Sequence, residues 1–314
     1  MRRRVTALVS FFFLLLAAFP ALSVITTNLN STTPLQLAQM LAGPGVTVSN
    51  VTFTGANIAG GSFTGGLPDG LGIATGVILS SGDIANAAGP NTNDGITAGN
   101  STPGDADLNA IVGAGHTTFD AAVLEFDFIP TSSPVTFRYV FASDEYNEFV
   151  GQFNDVFAFL IDGQNVALIP ATSTPVAINT VNLGSNPSFY RNNDPSDLGI
   201  PTPFGTQFDG FTTVLTATRA LTPNVSHRIK LVIADTDDAI LDSAVFLESS
   251  SFQAQPTPTA TPTGPTATPT RTSTVTPTFG PGLGATDIPT LSLPMLVLLG
   301  VALAAIGFLL IRRL

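Results

Sequence analysis

The chain has 314 residues, 44% of them hydrophobic, enough for one large domain or two small ones. It has no cysteine, which excludes a disulfide framework, a thiolate-bound metal and a thiol nucleophile. All 22 acidic residues fall between Asp69 and Asp287, and five of the 11 basic residues sit at the two ends, so the portion between the ends holds six bases and a net charge of −16, which repels nucleic acid and suits cations.

The first element is an export signal. Arg2, Arg3 and Arg4 form a basic start, Val5 to Phe19 an apolar run, and Ala21-Leu22-Ser23 a small-x-small cleavage site. Residues 1–23 are therefore predicted to be a signal peptide, with the mature chain starting near Val24. A short helix is predicted over Pro34 to Leu41, capped by Thr33 and with proline in its first turn. From there the hydrophobic period is two. Leu124, Phe126 and Phe128 alternate with Glu125 and Asp127. Val135, Phe137, Tyr139 and Phe141 share a face opposite Thr136 and Arg138, and Ile229, Leu231 and Ile233 alternate with Arg228 and Lys230. Val156 to Ile161 is apolar on both faces, which predicts a central strand. Val46–Phe53, Gly76–Ser80, Val176–Val181, Thr212–Thr218 and Ala244–Phe252 are further strand candidates, with Gly, Pro, Asn and Asp between them. Two stretches, Gly82–Thr118 and Gly184–Asp209, have loop composition and are candidate functional loops. The fold class expected for residues 24–254 is all-β: an antiparallel β-sandwich or jelly-roll-like ectodomain with one short N-terminal helix, its core filled by many of the 23 phenylalanines.

Residues 255–287 read as a Thr/Pro-rich stalk. The 27 residues from Gln255 to Pro281 are dominated by Pro-Thr repeats, which favour extended polyproline II and would span up to ~80 Å at about 3.1 Å per residue. Its threonines are candidate sites for O-linked sugar. Leu291 to Ile311 is 21 residues without a charge, the length of a transmembrane helix that crosses roughly 30 Å. Arg312 and Arg313 follow and place the C-terminus in the cytoplasm.

Two resemblances rest on quoted motifs. Ile288-Pro289-Thr290-Leu291, followed by an apolar helix and a basic pair over residues 288–314, resembles the IPTL-type C-terminal sorting signals of bacterial surface proteins, themselves similar to PEP-CTERM tails. That resemblance implies an exosortase-like membrane enzyme as processing partner. The usual Trp-Gly pair after the motif is replaced here by Leu293-Pro294-Met295, and a permanent membrane anchor is the alternative. The segments from about Thr33 to Phe252 resemble the choice-of-anchor L domain family. They include Pro44-Gly45-Val46-Thr47-Val48-Ser49, Gly76-Val77-Ile78-Leu79-Ser80-Ser81-Gly82, Phe141-Ala142-Ser143-Asp144-Glu145-Tyr146-Asn147-Glu148-Phe149, Phe153-Asn154-Asp155-Val156-Phe157 and Asp242-Ser243-Ala244-Val245-Phe246-Leu247. The resemblance implies an extracellular domain carried on differing anchors; it implies no ligand.

Acidic clusters follow or precede several strands. Asp144, Glu145, Asp155, Asp237 and Asp242 are the candidate metal ligands, with Ca²⁺ the candidate ion, because it accepts six to eight oxygens in flexible geometry. The competing reading makes them solvated loop residues, caps and turn formers; no EF-hand or related spacing is present. Asp83, Asp94, Asp105 and Asp107 offer further oxygens in the first long loop. Catalysis has little support: His116 and His227 are the only histidines, and no nucleophile elbow, zinc motif or phosphate loop occurs. Asp144 with Glu145 could serve a glycosidase, but the chain has no Trp and three Tyr with which to line a sugar cleft. The leading expectation is a non-enzymatic cell-surface module, adhesive or structural and stabilised by an ion. A carbohydrate-binding module and a glycosidase-like enzyme are the alternatives.

Overall fold

The computed structural model describes residues 23–198 and 204–255. Of the predicted signal peptide (1–23) all but residue 23, of the predicted stalk (255–287) all but residue 255, and the whole IPTL motif and apolar segment at Leu291 to Ile311 lie outside the described residues. Among the described residues no helix is long and apolar enough to cross a membrane.

The chain opens with β1 (Ile25–Asn28), α1 (Pro34–Leu41), β2 (Val46–Thr54), β3 (Gly60–Thr64) and β4 (Thr75–Ser80). After a long connection come α2 (Ala106–Val112), β5 (Thr118–Pro130), β6 (Val135–Ser143), β7 (Val156–Ile161) and β8 (Gln164–Asn165). The rest is β9 (Tyr190–Asn192), α3 (Pro195–Leu198), β10 (Gly210–Thr212), β11 (Leu215–Arg219), β12 (His227–Thr236), β13 (Ser243–Glu248) and β14 (Gln253–Ala254). One sheet runs β1-β3-β4-β13-β6-β10-β9, with β11 and β14 also on β6, and the other runs β2-β5-β12-β7-β8. Every strand pair is antiparallel, so the architecture is mostly β, in two antiparallel sheets.

Side-chain parity explains how the sheets stack. Val135, Phe137, Tyr139 and Phe141 of β6, with Val245 and Leu247 of β13, face Leu124, Phe126 and Phe128 of β5, Phe157 and Phe159 of β7, and Ile229, Leu231 and Ile233 of β12. Aromatic edges and faces fill the gap. Tyr139 meets Phe159 with centroids 4.9 Å apart and Phe128 meets Phe252 at 4.8 Å, contacts worth about 1 kcal/mol each beyond burial. The opposite parity is also apolar and also covered. On the outside of the first sheet, Val140, Ala142, Ala244 and Phe246 pack under Ile84, Ala87 and Phe208. On the outside of the second, Val123, Val232, Ala234 and Ala158 pack under Leu108 of α2.

Several elements differ from expectation. α1 forms as predicted, with Thr33 and Gln36 in a reciprocal capping box and Pro34 in the first turn. It is not alone, since α2 and α3 interrupt the two stretches read as loops. Asp105 caps α2 by accepting from the Asp107 and Leu108 amides, and Lys230 of β12 bonds both Asp105 and Asp107, fixing the helix to the sheet. β7 is buried on both faces but is not central; the two-residue β8 flanks it, and α2 supplies the second cover. Val176 to Val181 is not a strand. Its apolar side chains are buried, but the Thr180 and Val181 amides donate back to Ala177. The predicted strand Thr212–Thr218 breaks after Thr212, whose hydroxyl accepts from the Phe141 amide, and pairing on β6 resumes at Leu215. The predicted strand Ala244–Phe252 ends at Glu248, and Phe252 turns into the core against Phe126, Phe128 and Phe137.

The Tyr139 hydroxyl is buried without a partner. Tyr139→Phe keeps the ring and removes the unpaired group, and is expected to raise the unfolding free energy by about 1 kcal/mol in denaturant titration. A loss of stability would show that the hydroxyl is bonded.

Candidate functional site: an acidic end of the sandwich

Antiparallel register gathers the acids. Ser143, at the end of β6, lies opposite both Ser243 and Gly210; Ala234 lies opposite Val156, and Thr236 opposite Thr118. Asp144-Glu145, Asp155, Asp209, Asp235 and Asp242 therefore all emerge at one end of the two sheets. All six are buried, at no more than 1% exposure, which is exceptional for carboxylates without a basic partner. The lysine and arginine ion pairs of the described residues lie elsewhere: Arg138 with Glu248, Arg228 with Glu125 and Asp127, Lys230 with Asp105 and Asp107.

Parity then splits the acids by side. Glu145, Asp155 and Asp235 continue the inward rows Tyr139-Phe141-Ser143, Phe159-Phe157 and Leu231-Ile233, so they gather between the sheets. Asp144 and Asp242 continue the outward rows Val140-Ala142 and Phe246-Ala244, on the side of Asp209. The register of β12 on β5 is irregular between Ile233 and Asp235, with Asp120 and Ala121 of β5 opposing Ala234 alone. The extra residue belongs to β5, so β12 keeps its alternation and carries Asp235 inward.

The carboxylates also divide by what they touch. Asp155 joins the sheets: Oδ1 accepts from the Thr236 amide at 3.0 Å and Oδ2 from the Ser243 hydroxyl at 2.7 Å. Asp242 accepts from the Ala98 amide at 2.9 Å and from Thr97 Oγ1 at 3.4 Å. Asp120 accepts from the Asn100 and Thr102 amides at 2.9 and 2.6 Å. These three tie down the 96–102 segment and the strand ends. Gly82 is required beside them, because a Cβ there would run into the Asp242 carboxylate. The remaining acids are different. Both oxygens of Asp235, Oδ1 of Asp144, Oε2 of Glu145 and Oδ2 of Asp209 are buried with no hydrogen-bond partner, as is Thr236 Oγ1. A buried unpaired carboxylate oxygen costs several kcal/mol unless a proton or a cation is beside it.

Electrostatics agree with the geometry. Burial, then the charges of Asp155 and Asp238, pushes Glu145 up to about 9. Burial raises Asp155 to about 7, against the lowering effect of its bonds from Ser243 and Thr236. Asp242 rises to about 6 through burial, and Asp209 to about 8. Asp144 is raised by burial and by Asp209 and Asp242, against the lowering effect of the Asp209 backbone; Asp235 is raised by burial and by Asp155, against the lowering effect of the Ser81 hydroxyl, which lies beside it without forming a well-aligned bond.

Of the sequence-predicted ligands, Asp144, Glu145, Asp155 and Asp242 meet at this end, and Asp237 does not. Asp237 is exposed, with a left-handed backbone (φ 74°), and holds His116 Nδ1 at 2.6 Å. Asp235 and Asp209 were not among the predicted ligands. The alternation Ile229-Leu231-Ile233, continued by one step, points to Asp235; Asp209 carries no such signal, since it follows an irregular loop. Asp105 and Asp107 serve α2 and Lys230, not this end.

The Choice-of-anchor L domain family model matches residues 25–253, and the chain belongs to that family. No curated protein and no solved structure matches the chain.

In chelator, the raised acids fix the sign of the pH dependence. Asp155, Asp209 and Glu145 hold protons up to about 7, 8 and 9 in the folded chain, against about 4 when unfolded. Their contribution is fully present below about pH 4 and is lost as pH rises through the folded values. The metal-free melting temperature is thus expected to fall between about pH 5 and about pH 9, as read by circular dichroism; a rise over that range would contradict the assignment.

Proposed function

We propose that this member of the choice-of-anchor L family is a non-enzymatic, adhesive or structural module of the cell surface, whose acidic end takes up Ca²⁺. Family membership supports the surface association. The observation that carries the ion is the pair of acids between the sheets, Glu145 and Asp235, whose buried oxygens without a hydrogen-bond partner no described lysine or arginine pairs with. Ca²⁺ takes oxygen ligands alone, tolerates irregular geometry and would compensate charges that here only repel. Asp155 supports the site from outside, since both its oxygens already accept hydrogen bonds.

Export and anchoring complete this reading. The basic-apolar start over residues 1–23 would direct secretion, and Ile288-Pro289-Thr290-Leu291 with the following apolar segment would retain the domain, either through an exosortase-like enzyme or as a permanent membrane anchor. Two observations count against the sugar-binding and glycosidase alternatives. Tyr139, Tyr146 and Tyr190 all lie in the core, so the three tyrosines of the chain offer no platform for a sugar ring. Asp144 and Glu145 are each 1% exposed and would not touch a substrate.

The test is thermal unfolding of the full-length protein in Ca²⁺ and in EDTA. At a hundredfold excess over Kd, Ca²⁺ is expected to add about 2.7 kcal/mol, or roughly 5–10 °C. Asp235→Asn, which cannot offer a carboxylate to the ion, is expected to shrink the Ca²⁺ response. Midpoints that are equal in Ca²⁺ and EDTA would refute the calcium reading.

A further inference from the structure

The outward acids lead to a second place. Asp209 precedes β10; Asp194 follows β9; Asp94 lies in the long connection between β4 and α2. One carboxylate oxygen from each lies within 4.8 Å of the other two. Two ligands of one Ca²⁺, each at about 2.4 Å, can be no farther apart than about 4.8 Å, so this spacing permits a shared ion.

Spacing alone would say little, as acidic groups often gather at surfaces. The independent observation lies underneath. Asp194 and Asp209 are fully buried (0% exposed), and each keeps one oxygen, Oδ2, without any partner. Their other oxygens are occupied: Asp209 Oδ1 accepts from Asn91 at 2.5 Å, and Asp194 Oδ1 from the Ser196 amide at 2.6 Å. Asn193 adds a third buried oxygen with no partner, and its amide orientation is fixed, because Nδ2 donates to the Thr206 and Phe208 carbonyls. Asn91 binds the Asn193 carbonyl and receives Gln207, which also reaches the Asn93 carbonyl. A buried amide network thus presets these acids, and it uses every oxygen except those left free.

We propose that Asp94, Asp194 and Asp209 form a second cation site, distinct from the one between the sheets, where Ca²⁺ fastens the β4–α2 connection to the segments around β9 and β10. Asp94 is exposed and gives the ion its way in, while the two buried aspartates supply the ligands that water cannot reach. Glu148 and Asp197 form an equally close group with Asp194, extending the donor set at the rim. An ion would engage all three carboxylates at once.

Isothermal titration of the full-length protein with Ca²⁺ tests this. Asp94→Ala removes an exposed ligand without opening the core, and is expected to weaken one binding event about tenfold while the near-ultraviolet dichroism is unchanged. Asp194→Asn is expected to weaken the same event, and Asp235→Asn to spare it. Wild-type titration curves in both Asp94→Ala and Asp194→Asn would overturn the proposal, as would an event lost only with Asp235→Asn. In that last case the site between the sheets stands and this one falls. A Ca²⁺ event that depends on Asp94 and is indifferent to Asp235 supports the second site, and if it is the sole event the site between the sheets falls instead.

Discussion

One carboxylate holds the two sheets in register at their acidic end. Asp155 immediately precedes β7, in the second sheet, and takes the Thr236 amide of that sheet and the Ser243 hydroxyl of the other. An antiparallel sandwich closes its core by hydrophobic contact, which is not directional and does not align strand ends. A charge-assisted hydrogen bond across the gap does. Ser243 is in turn placed by β4: its amide donates to Ser81 Oγ and its carbonyl accepts from the Ser80 hydroxyl. Four strand ends from both sheets are thereby fixed around one buried anion.

That arrangement sets the problem the remaining acids must solve. A carboxylate whose two oxygens both accept hydrogen bonds can stay charged in the interior, because those bonds replace its lost water. Asp155 and Asp242 are of this kind, and their upward shifts stop at about 7 and about 6. Glu145 and Asp209, each with a free oxygen, rise further, to about 9 and about 8. The ordering follows hydrogen-bond count rather than depth, since all four side chains are almost completely buried. Acids left free are a liability to the fold unless something neutralises them, and the described lysine and arginine ion pairs lie on other parts of the sandwich.

Parity is what made much of this legible from sequence, and its end is where legibility stops. The alternation in β5, β6 and β12 pointed to both the core and the fold class, because a buried sheet face allows only one register. Extended past the strand ends, the same alternation sorts Glu145, Asp155 and Asp235 inward and Asp144 and Asp242 outward. Asp237 escapes that rule because it lies just past the strand end in a left-handed backbone, where its carboxylate meets His116 instead. Val176 to Val181 misled for the opposite reason: its side chains are buried like those of a strand, while its backbone bonds close on themselves. α2 is seven residues long and sits among glycines and asparagines, so its apolar stripe is too short to show as a period. Asn91, Asn193 and Gln207 were least legible of all, since they act through long-range amide bonds between two irregular stretches.

The absence of cysteine gives these acids their meaning. A secreted domain commonly secures long irregular connections with disulfides, which act on the unfolded chain and need only an oxidising compartment. Here the long connection after β4 covers both sheets, with Ile84 and Ala87 on one and Leu108 on the other, and crosses the acidic end between them. It is tied there by amides donated to Asp242 and Asp120 and by the amide network around Asn91. Divalent ions at the same end would perform the cross-linking that thiols cannot, and they would do so only where Ca²⁺ is plentiful. Metal binding of this kind is coupled to folding, because the converging oxygens exist only in the folded chain. If ions bind there as proposed, the acidic end that lowers stability without them would make completion of the fold depend on the ion.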